Sequence, residues 1–573
     1  MFMWCANCNR TSYSNICEVC GGKTQQDTPI ELFWCDSCHV PVIVEVSDTG
    51  THHCPICGKQ IRYLAKDLRP VFPEERLLLE IIQNKPFAYK NASVWASGSR
   101  YYIDGKTSNL SIDLLKKLDA NKISIELDKY CSQNSYDYFN QTIALFVACN
   151  KERLDAIKQE AENFVREQVS LFPNHKPVIS FSGGKDSTVV ADIVIRALSN
   201  PSIVQIFGDT TLEFPMTYEY VARHRKQNPL AIIKTAKNKE QDFYHVCDEI
   251  GPPARMMRWC CTMFKTGPIT RVLNSVFKDS NILTFYGIRK YESVSRSKYD
   301  RVANGANVKI QKQTVAAPIF YWSDIEVWLY ILGEEIDFND AYRLGYDRVG
   351  CWCCPNNTLR SQLLAQVYMP EQSKKWRDYL IGFAKRIGKP DPEVYVDDGK
   401  WKARQGGNGL AAAEDVKIHY TNCTAEDHAK IYKINKPVTD EFFNLFVPFG
   451  KVSKELGRKL LHEVMVLDVR TNVPILSMQP FTQDGFDYAV KIRTMNVADH
   501  EVLQRMTSYQ VRKYNACRKC LKCESVCPFG AITITQGAYK INEAICRHCK
   551  KCVSAKYLDG GCLMDRFLKS KED

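Results

Sequence analysis

Residues 176–187 read KPVISFSGGKDS, and this stretch decides the fold of the central part of the chain. The apolar run 178–181 predicts a buried strand, and the pattern over 188–198 predicts a helix. Between the two, Gly183 and Gly184 let the backbone approach a phosphate group closely. The start of the helix adds unpaired N–H groups and the positive end of the helix dipole. The stretch therefore predicts a strand, an anion-binding loop and a helix in direct succession.

The side chains of this loop fit the same task. Lys185 neutralises phosphate charge, and Asp186 can hold a magnesium ion or orient the loop. Ser182 and Ser187 can donate their hydroxyl groups. The Gly-x4-Gly-Lys spacing of a Walker A loop is absent, so the sequence predicts a phosphate site of another kind.

The chain around the loop alternates apolar runs with amphipathic stretches between residues 176 and 357. A second apolar run at 203–207 predicts another buried strand. Such alternation is typical of a parallel sheet covered by helices. We therefore expect an α/β domain over residues 171–400 at the centre of a multidomain chain.

The loop, in this setting, resembles the PP-loop of the ATP pyrophosphatase and phosphoadenosine phosphosulfate (PAPS) reductase superfamily. Family-like segments follow in the same order along the chain: Asp209 to Pro215 (DTTLEFP), Gly287-Ile288-Arg289 with Glu292, Ser293 and Arg296, and Pro318, Trp322, Asp324 and Trp328. The resemblance implies an adenine nucleotide alpha hydrolase-like fold. It implies that the nucleotide is bound by Ser182, Gly183, Gly184, Lys185, Asp186, Ser187, Asp209 and Arg289. The resemblance also implies catalytic roles for Lys185, Asp186, Arg289 and Arg296. The guanidinium groups of the two arginines suit phosphate or sulfate oxygens.

A central group of cysteines lies within the same domain. Cys260 and Cys261 are adjacent, and Cys351 and Cys354 form a Cys-x-x-Cys pair further along the chain. This arrangement resembles the signature of the 4Fe-4S sulfonucleotide (APS/PAPS) reductases and implies one cluster here, with zinc as the alternative. Cys353 is a spare thiol that could be another ligand, a sulfur-carrying nucleophile or a buried residue. The glutamate-cysteine-glycine-x-histidine tail that carries the reductases' catalytic cysteine is absent.

The last part of the chain carries the most specific motif. Its spacing, Cys-x2-Cys-x2-Cys-x3-Cys-Pro, is that of bacterial two-cluster ferredoxins, in which the fourth cysteine serves the other cluster. We therefore predict two 4Fe-4S clusters that carry single electrons. The expected ligands are Cys517, Cys520, Cys523 and Cys562 for one cluster, and Cys527, Cys546, Cys549 and Cys552 for the other.

The first part of the chain holds two further sets of paired cysteines. Both sets have the spacing of closed tetrahedral zinc ribbons, and a rubredoxin-like iron is the alternative. The two predicted Zn²⁺ sites are Cys5, Cys8, Cys17 and Cys20, and Cys35, Cys38, Cys54 and Cys57.

Length and composition set the wider frame. A chain of 573 residues suits about four domains, and 45% apolar with 25% charged residues is typical of globular protein. The expected domains are 1–65 (zinc ribbons), 66–170 (mixed α/β accessory domain), 171–400 (PP-loop domain), 410–510 (small α+β domain) and 511–573 (two-cluster ferredoxin fold). Gly406, Gly407 and Gly409 predict a linker between the last two of these domains and the three domains before them.

Net charge and cysteine usage indicate the class of partner and the cellular compartment. The formal charge of +12 fits a polyanionic partner, either nucleic acid or a phosphate-rich small substrate. No apolar run is long enough for a membrane span, and the first residues do not resemble a signal peptide. Metal-type cysteine spacing predicts a reducing cytoplasm.

Three functions remain open on the sequence. The first is a sulfonucleotide reductase-like enzyme that receives electrons, through its ferredoxin module, from a donor protein. The second is an ATP-dependent, AMP-forming enzyme that inserts sulfur into tRNA or DNA. The third is a non-enzymatic iron–sulfur adaptor that senses redox state. The sequence does not choose among APS, PAPS and ATP, and it leaves the oligomeric state open.

Overall fold

The structure is a computed structural model. It describes residues 3–5, 8, 10–12, 16–22, 24, 29–46, 50–278, 280–294, 296–304, 313–535, 538–553 and 562–569. All the site residues predicted above lie within these ranges.

The chain begins with two small antiparallel sheets that carry the first eight cysteines. The first is a hairpin of two strands, β1 (Met3–Cys5) and β2 (Arg10–Ser12). The second has the order β4-β3-β5, from β3 (Ile30–Cys35), β4 (Val40–Glu45) and β5 (Arg62–Ala65). One face of this second sheet packs against the central domain. Its Leu32 and Trp34 belong to the same buried core as Phe181 and Val189 of that domain.

The accessory segment that follows is a four-stranded antiparallel sheet with helices. Its sheet order is β6-β7-β8-β9. The elements are β6 (Arg69–Pro70), α1 (Pro73–Ile82), β7 (Val94–Ser97), β8 (Arg100–Ile103), β9 (Lys106–Asn109), α2 (Ile112–Lys117), α3 (Ala120–Tyr130), α4 (Asp137–Cys149) and α5 (Lys151–Leu171). Strands β7 and β8 form a hairpin within residues 94–103.

The central sheet is parallel, as the alternation of apolar and amphipathic stretches predicts. Within the described residues it has six strands in the order β12-β11-β10-β13-β15-β14, and only β14 is antiparallel. The strands are β10 (His175–Phe181), β11 (Val204–Asp209), β12 (Ile232–Lys237), β13 (Asn281–Phe285), β14 (Val302–Ala303) and β15 (Gln313–Ala316). The strand order reverses direction at β10, so the loop after β10 lies at the crevice where α/β sheets bind ligands.

Helices cover this sheet and extend it toward the C-terminal half. They are α6 (Lys185–Leu198), α7 (Pro215–Gln227), α8 (Phe243–Ile250), α9 (Trp259–Cys261), α10 (Gly267–Val276), α11 (Asp324–Gly333), α12 (Leu359–Tyr368), α13 (Pro370–Arg386) and α14 (Pro392–Asp397). Helix α6 begins at the loop lysine itself, three residues earlier than the apolar pattern predicts, because the loop supplies its first turn.

The C-terminal half combines a six-stranded antiparallel sheet with the cysteine-rich end of the chain. The sheet order is β16-β17-β21-β20-β19-β18. Its elements and those after it are β16 (Tyr420–Asn422), β17 (Ala429–Ile434), α15 (Asp440–Asn444), β18 (Lys451–Ser453), β19 (Val464–Leu467), β20 (Pro474–Phe481), β21 (Tyr488–Thr494), α16 (His500–Ala516), α17 (Lys522–Val526), β22 (Ile532–Thr535), β23 (Ala538–Ile541) and α18 (Leu563–Leu568). Tyr432 and Val490 of the sheet share one core with Leu521 and Ile532.

The predicted glycine linker is packed against the end of the chain. A Cβ on Gly406 would lie 2.4 Å from the carbonyl oxygen of Lys569, and one on Gly407 would lie 2.4 Å from that of Leu568. The glycines are needed for this close approach, and the linker prediction is corrected accordingly. Among the residues that the structure describes, no helix is long and apolar enough to cross a membrane.

Candidate functional site

The loop after β10 has the geometry of an anion site. Gly183 has φ +72°, which favours glycine, and Gly184 precedes the first turn of α6. The Ser187 hydroxyl donates to the Gly184 carbonyl (2.8 Å) and accepts from the Ser182 amide (3.1 Å). The two serine hydroxyls are 3.0 Å apart, so they shape the loop from inside.

Residues that lie far away in the sequence support the loop. The Tyr342 hydroxyl accepts a hydrogen bond from the Lys185 amide (3.0 Å), and the Asn339 side chain donates to the Gly183 carbonyl (3.1 Å). A Cβ on Gly287 would lie 2.7 Å from the carbonyl carbon of Asp186, so only glycine fits there. This close contact is the physical reason for the glycine of the Gly-Ile-Arg element.

Four charges form a compact network at the start of α6. Lys185 Nζ lies 2.9 Å from Asp324 Oδ1 and 3.2 Å from Asp186 Oδ2. Arg289 Nε lies 2.6 Å from Asp186 Oδ1, and its Nη2 lies 2.8 Å from Asp324 Oδ1. The network is buried, since Lys185 and Arg289 are 3% and 4% exposed.

The pKa values of the network follow from these contacts. Burial opposes the charge of Lys185, but Asp186 and Asp324 outweigh it and raise the lysine pKa. Burial also opposes ionisation of Asp186, but Arg289 and Lys185 lower its pKa to about 2. Lys185 and Asp186 are therefore both stabilised in their charged forms, and the ammonium group of Lys185 lies at the anion loop.

Two other predicted residues flank the loop. Asp209 ends β11, and its Oδ1 accepts from the Thr211 amide and from the Tyr218 hydroxyl, both at 2.8 Å. Arg296 pairs with Glu292. Burial and the nearby charge of Arg348 lower the pKa of Arg296.

The structure brings the four central cysteines together. Cys260 and Cys261 end the short helix α9, and a backbone bridge ties Cys351 to Glu213. A hydrogen bond with the Cys261 thiol, burial and the proximity of Cys351 raise the pKa of Cys260. Burial, with Cys261 nearby, raises the pKa of Cys354, while Arg348 and Arg258 act against this rise.

The hydroxyl group of Thr210 and the carboxyl group of Glu213 lie beside the central cysteine site. Thr210 Oγ1 lies 3.4 Å from Cys351 Sγ and donates to Glu213 Oε1 at 2.8 Å. Burial raises the pKa of Glu213, and Lys265 acts against this rise. Through Thr210 and Glu213, the segment that follows β11 contacts the cysteine site.

Cys353 lies on the other side of the Cys-x-x-Cys turn. It is 5% exposed and packs in a core that includes Trp259 and Trp376. Burial raises its pKa well above the usual value, which disfavours the reactive thiolate. Of the three roles considered for Cys353, this environment favours the buried packing residue.

The C-terminal cysteines assemble in the pairing typical of two-cluster ferredoxins. Burial raises the pKa of Cys562 to about 12, with Cys523 and Cys517 as close neighbours. Burial likewise raises the pKa of Cys546, beside Cys527 and Cys549. The distant Cys562 therefore approaches the first set, although its spacing departs from the usual pattern.

The first C-terminal set packs directly against the central site. A Cβ on Gly267, which begins α10 just after the Cys260–Cys261 helix and its π turn, would lie 2.6 Å from Leu521 Cβ. Leu521 is the residue after Cys520 and is 1% exposed. Arg271 of α10 forms an ion pair with Glu524 at 2.9 Å. Cys260, Cys351 and Cys520 border the same buried core.

Each of the two N-terminal sets has the geometry of a tetrahedral site for a single metal ion. Sulfur–sulfur distances are 3.4 Å (Cys5–Cys20) and 3.8 Å (Cys8–Cys17) in the first, and 3.5 Å (Cys35–Cys57) and 3.7 Å (Cys38–Cys54) in the second. Four sulfurs at about 2.3 Å from one zinc ion would lie about 3.8 Å apart. The central and C-terminal cysteines, also among the described residues, do not gather this tightly, which suits ligands spread over the corners of a cluster.

Hydrogen bonds favour the thiolate form of one cysteine in each N-terminal set. Backbone N–H groups of Cys20 and Val19 lower the pKa of Cys17 to about 6. Burial opposes ionisation of Cys54, but the amides of Cys57 and Ile56 outweigh it and lower its pKa to about 7. Metal ligands must be thiolates, so both sets fit a metal ion.

Comparisons with known proteins agree with this geometry. The family model of the phosphoadenosine phosphosulfate reductase domain matches residues 176–357, and that of the 4Fe-4S binding domain matches residues 511–533. An uncharacterised protein of Methanocaldococcus jannaschii is 33% identical over 270 residues, 47% of this chain and 54% of the relative. An adenosine 5′-phosphosulfate reductase of Staphylococcus epidermidis is 27% identical over 183 residues, 31% of this chain and 69% of the relative.

A solved PAPS reductase of Candida auris aligns with 35% of this chain and 96% of its own, at 18% identity and a TM-score of 0.27. The chain spans only about half the length of the first relative above. It is a multidomain α/β protein with a largely parallel central sheet and a 4Fe-4S motif near its C-terminal end. Its central residues, 176–357, match the model of the phosphoadenosine phosphosulfate reductase domain.

Sequence analysis missed several residues of the site. Asn339 and Tyr342 follow α11 and reach back to the loop over more than 150 positions. Thr210 lies in a segment that was identified by resemblance, but its contact with Cys351 had no sequence signal.

Proposed function

We propose that the chain is an iron–sulfur enzyme that reduces the sulfate group of an adenylyl sulfate, APS or PAPS, to sulfite. Two electrons enter the sulfur atom as its bond to the bridging oxygen breaks. The sulfur leaves as sulfite, and AMP or its 3′-phosphorylated form keeps the bridging oxygen. When bound, the clusters supply single electrons to this reaction.

One observation carries this proposal. The ferredoxin-like module and the central cysteine site meet at Gly267 and Leu521, one residue from Cys520. Such a junction gives electrons a short route from the C-terminal cysteines to those of the nucleotide domain.

The residues of the loop would bind and orient the nucleotide. The N–H groups of the first turn of α6 and the ammonium group of Lys185 would hold the phosphate. Arg289 would grip the same anion, and Arg296 and Arg348 would stabilise the sulfate end. Arg348 is near both Arg296 and Cys354, so positive charge extends from the loop to the cysteines.

The central set of Cys260, Cys261, Cys351 and Cys354 would hold a 4Fe-4S cluster, and the two C-terminal sets would hold two more. The two N-terminal sets would hold zinc. A donor protein would reduce the C-terminal clusters. We place the protein in a reducing cytoplasm, because these thiols must stay free of disulfides.

A second candidate is ATP-dependent sulfur insertion into tRNA or DNA, with release of AMP and pyrophosphate. Burial of Cys353 favours it, because a reductase that forms a covalent sulfur adduct on a thiol would lack its nucleophile at this position. Asp186 and Asp209 near the loop would suit a magnesium ion bound to ATP. A non-enzymatic adaptor is the third reading.

The test uses anaerobic, dithionite-reduced protein with APS, with PAPS, or with ATP plus bulk tRNA. Sulfite formed from APS or PAPS supports the proposal. AMP with pyrophosphate from ATP, without sulfite from the other two, supports sulfur insertion. No turnover of any of the three, with clusters intact by EPR, supports the adaptor.

A further inference from the structure

A carboxylate of the N-terminal module reaches the nucleotide site. Asp67 follows β5 of the second cysteine ribbon and lies outside the matched family domain. Its Oδ2 accepts from the Asp324 amide (2.9 Å), and its Oδ1 accepts from the Ile325 amide (3.0 Å). Asp324 is the same residue whose carboxylate binds Lys185 and Arg289.

Asp67 completes the start of α11. The first N–H groups of a helix have no partner within the helix. Here Ser323 and Glu326 form a capping box, and Asp67 takes the two remaining N–H groups, those of Asp324 and Ile325. Asp67 therefore fixes the position of the Asp324 backbone, which carries the carboxylate that binds Lys185 and Arg289.

The ribbon that carries Asp67 is itself fixed to the central domain. Arg153 of α5 binds Glu45 at the end of β4 (2.7 Å) and Glu326 of α11 (2.6 Å). Asn150 accepts from the amide of Ile43 (2.7 Å) on the same strand. The ribbon thus has little freedom to move relative to α11.

We propose that Asp67 is a positioning residue of the nucleotide site, through which the N-terminal ribbon holds Asp324, and with it Lys185 and Arg289, in the arrangement that binds the adenylyl anion. This inference rests on the proposed nucleotide site, although it holds for either nucleotide class. It gives the N-terminal module a task in substrate binding.

The charged groups around Asp67 affect its pKa, so its role can be tested by measuring nucleotide binding at two pH values. It faces Asp324 on α11 and Arg289 after β13, and this network continues to Lys185 and Asp186 on α6. Burial and the charge of Asp324 raise the pKa of Asp67 to about 7, and the two amides and Arg289 act against the rise. Asp67 is therefore largely neutral at pH 6 and largely ionised at pH 8.

The experiment measures the equilibrium binding of APS to oxidised, full-length protein at pH 6 and pH 8. APS is chosen because its phosphosulfate has no group that titrates between these values. At pH 6 the variant Asp67→Ala removes hydrogen-bond acceptors but almost no charge, so we expect APS to bind at least fivefold more weakly. Asp67→Asn keeps one acceptor oxygen but turns its NH2 group toward the second of the two backbone N–H groups. At pH 6 it should therefore bind APS more weakly than the natural protein and more tightly than Asp67→Ala.

At pH 8 the ionised Asp67 adds negative charge near the incoming anion. The natural protein should therefore bind APS severalfold more weakly at pH 8 than at pH 6, and Asp67→Asn should lose this dependence. Asp119→Ala and Asp119→Asn are the matched controls, because Asp119 also caps a helix, α3, by accepting from two amides (Asn121 and Lys122). Both controls should bind APS like the natural protein.

Each other result overturns the inference. Unchanged binding by Asp67→Ala at pH 6, or an Asp67→Asn variant that keeps the full pH dependence, would show that Asp67 does not position the site. Should Asp67→Ala fail to fold, the pH comparison on Asp67→Asn decides alone. If the natural protein binds neither APS nor ATP, the proposed function itself fails, which is a separate result.

Discussion

The contact between Gly267 and Leu521 gives the sharpest prediction about electron flow. We consider Gly267→Ala, which adds one methyl group at the junction of the central and C-terminal cysteine sites. The new Cβ would lie 2.6 Å from Leu521 Cβ and 2.9 Å from both Leu521 Cδ1 and the Thr262 carbonyl oxygen. Gly267 has φ −61°, so the backbone accepts alanine without strain.

The magnitude follows from packing. Carbon atoms prefer separations of about 3.5–4.0 Å, so the two elements must separate by about 1 Å. Overpacking of this kind costs about 1–3 kcal/mol. Alanine in a helix recovers about 1 kcal/mol relative to glycine, so the net loss of unfolding free energy is about 0–2 kcal/mol. Electron transfer should respond more strongly, because its rate falls steeply with the distance between redox centres.

The assay is laser-flash photoreduction under anaerobic conditions, with the absorbance followed as electrons redistribute among the clusters. Gly267→Ala should slow this redistribution severalfold, while the EPR spectra of the clusters stay unchanged. The control is Gly382→Ala on α13, where an added Cβ has no neighbour within 4 Å. Both substitutions gain the same helix propensity, and only the first changes the junction.

Equal redistribution rates in Gly267→Ala and the natural protein would refute this reasoning. Electrons would then reach the central site by another route, or would not reach it at all.

Three further changes test other parts of the account. Lys185→Ala should weaken the binding of APS or ATP about 10- to 100-fold in calorimetry, since a charged hydrogen bond contributes about 1.5–3 kcal/mol, whereas the exposed Lys176→Ala should bind normally. Cys54→Ser should remove one equivalent of zinc in elemental analysis and expose the ribbon to proteolysis, because structural zinc contributes folding energy; a full zinc content would contradict the assigned ligand set. Thr210→Val should shift the EPR signal or the reduction potential of the central cluster and leave those of the C-terminal clusters unchanged, since its hydroxyl lies 3.4 Å from Cys351 Sγ. Unaltered central signals would remove Thr210 from the surroundings of the cluster.

Local patterns predicted much of the fold. The strand, loop and helix around Lys185 follow from apolar spacing and glycines, and both are short-range features of the chain. The parallel sheet follows from the alternation of elements. The paired spacing of the N-terminal cysteines predicted sets that do come together around single points.

Contacts between distant segments could not be predicted in this way. Asp67 reaches α11 over more than 250 positions, and no pattern near Asp67 distinguishes it from a surface aspartate. The glycines at 406 and 407 resemble a flexible linker, but their lack of side chains serves a tight contact with the chain end. The role of Gly267 is likewise visible only when Leu521 is placed beside it.

The central claim is that electrons stored on the cysteine-bound clusters reduce a sulfur atom carried by an adenylyl group. Its most direct test is a single turnover: protein is reduced, freed of excess reductant and mixed anaerobically with APS while sulfite and the EPR signals of reduced clusters are counted together. The account predicts one sulfite for every two electrons that leave the clusters. Clusters that stay reduced while APS persists, or sulfite that appears without their oxidation, would contradict it.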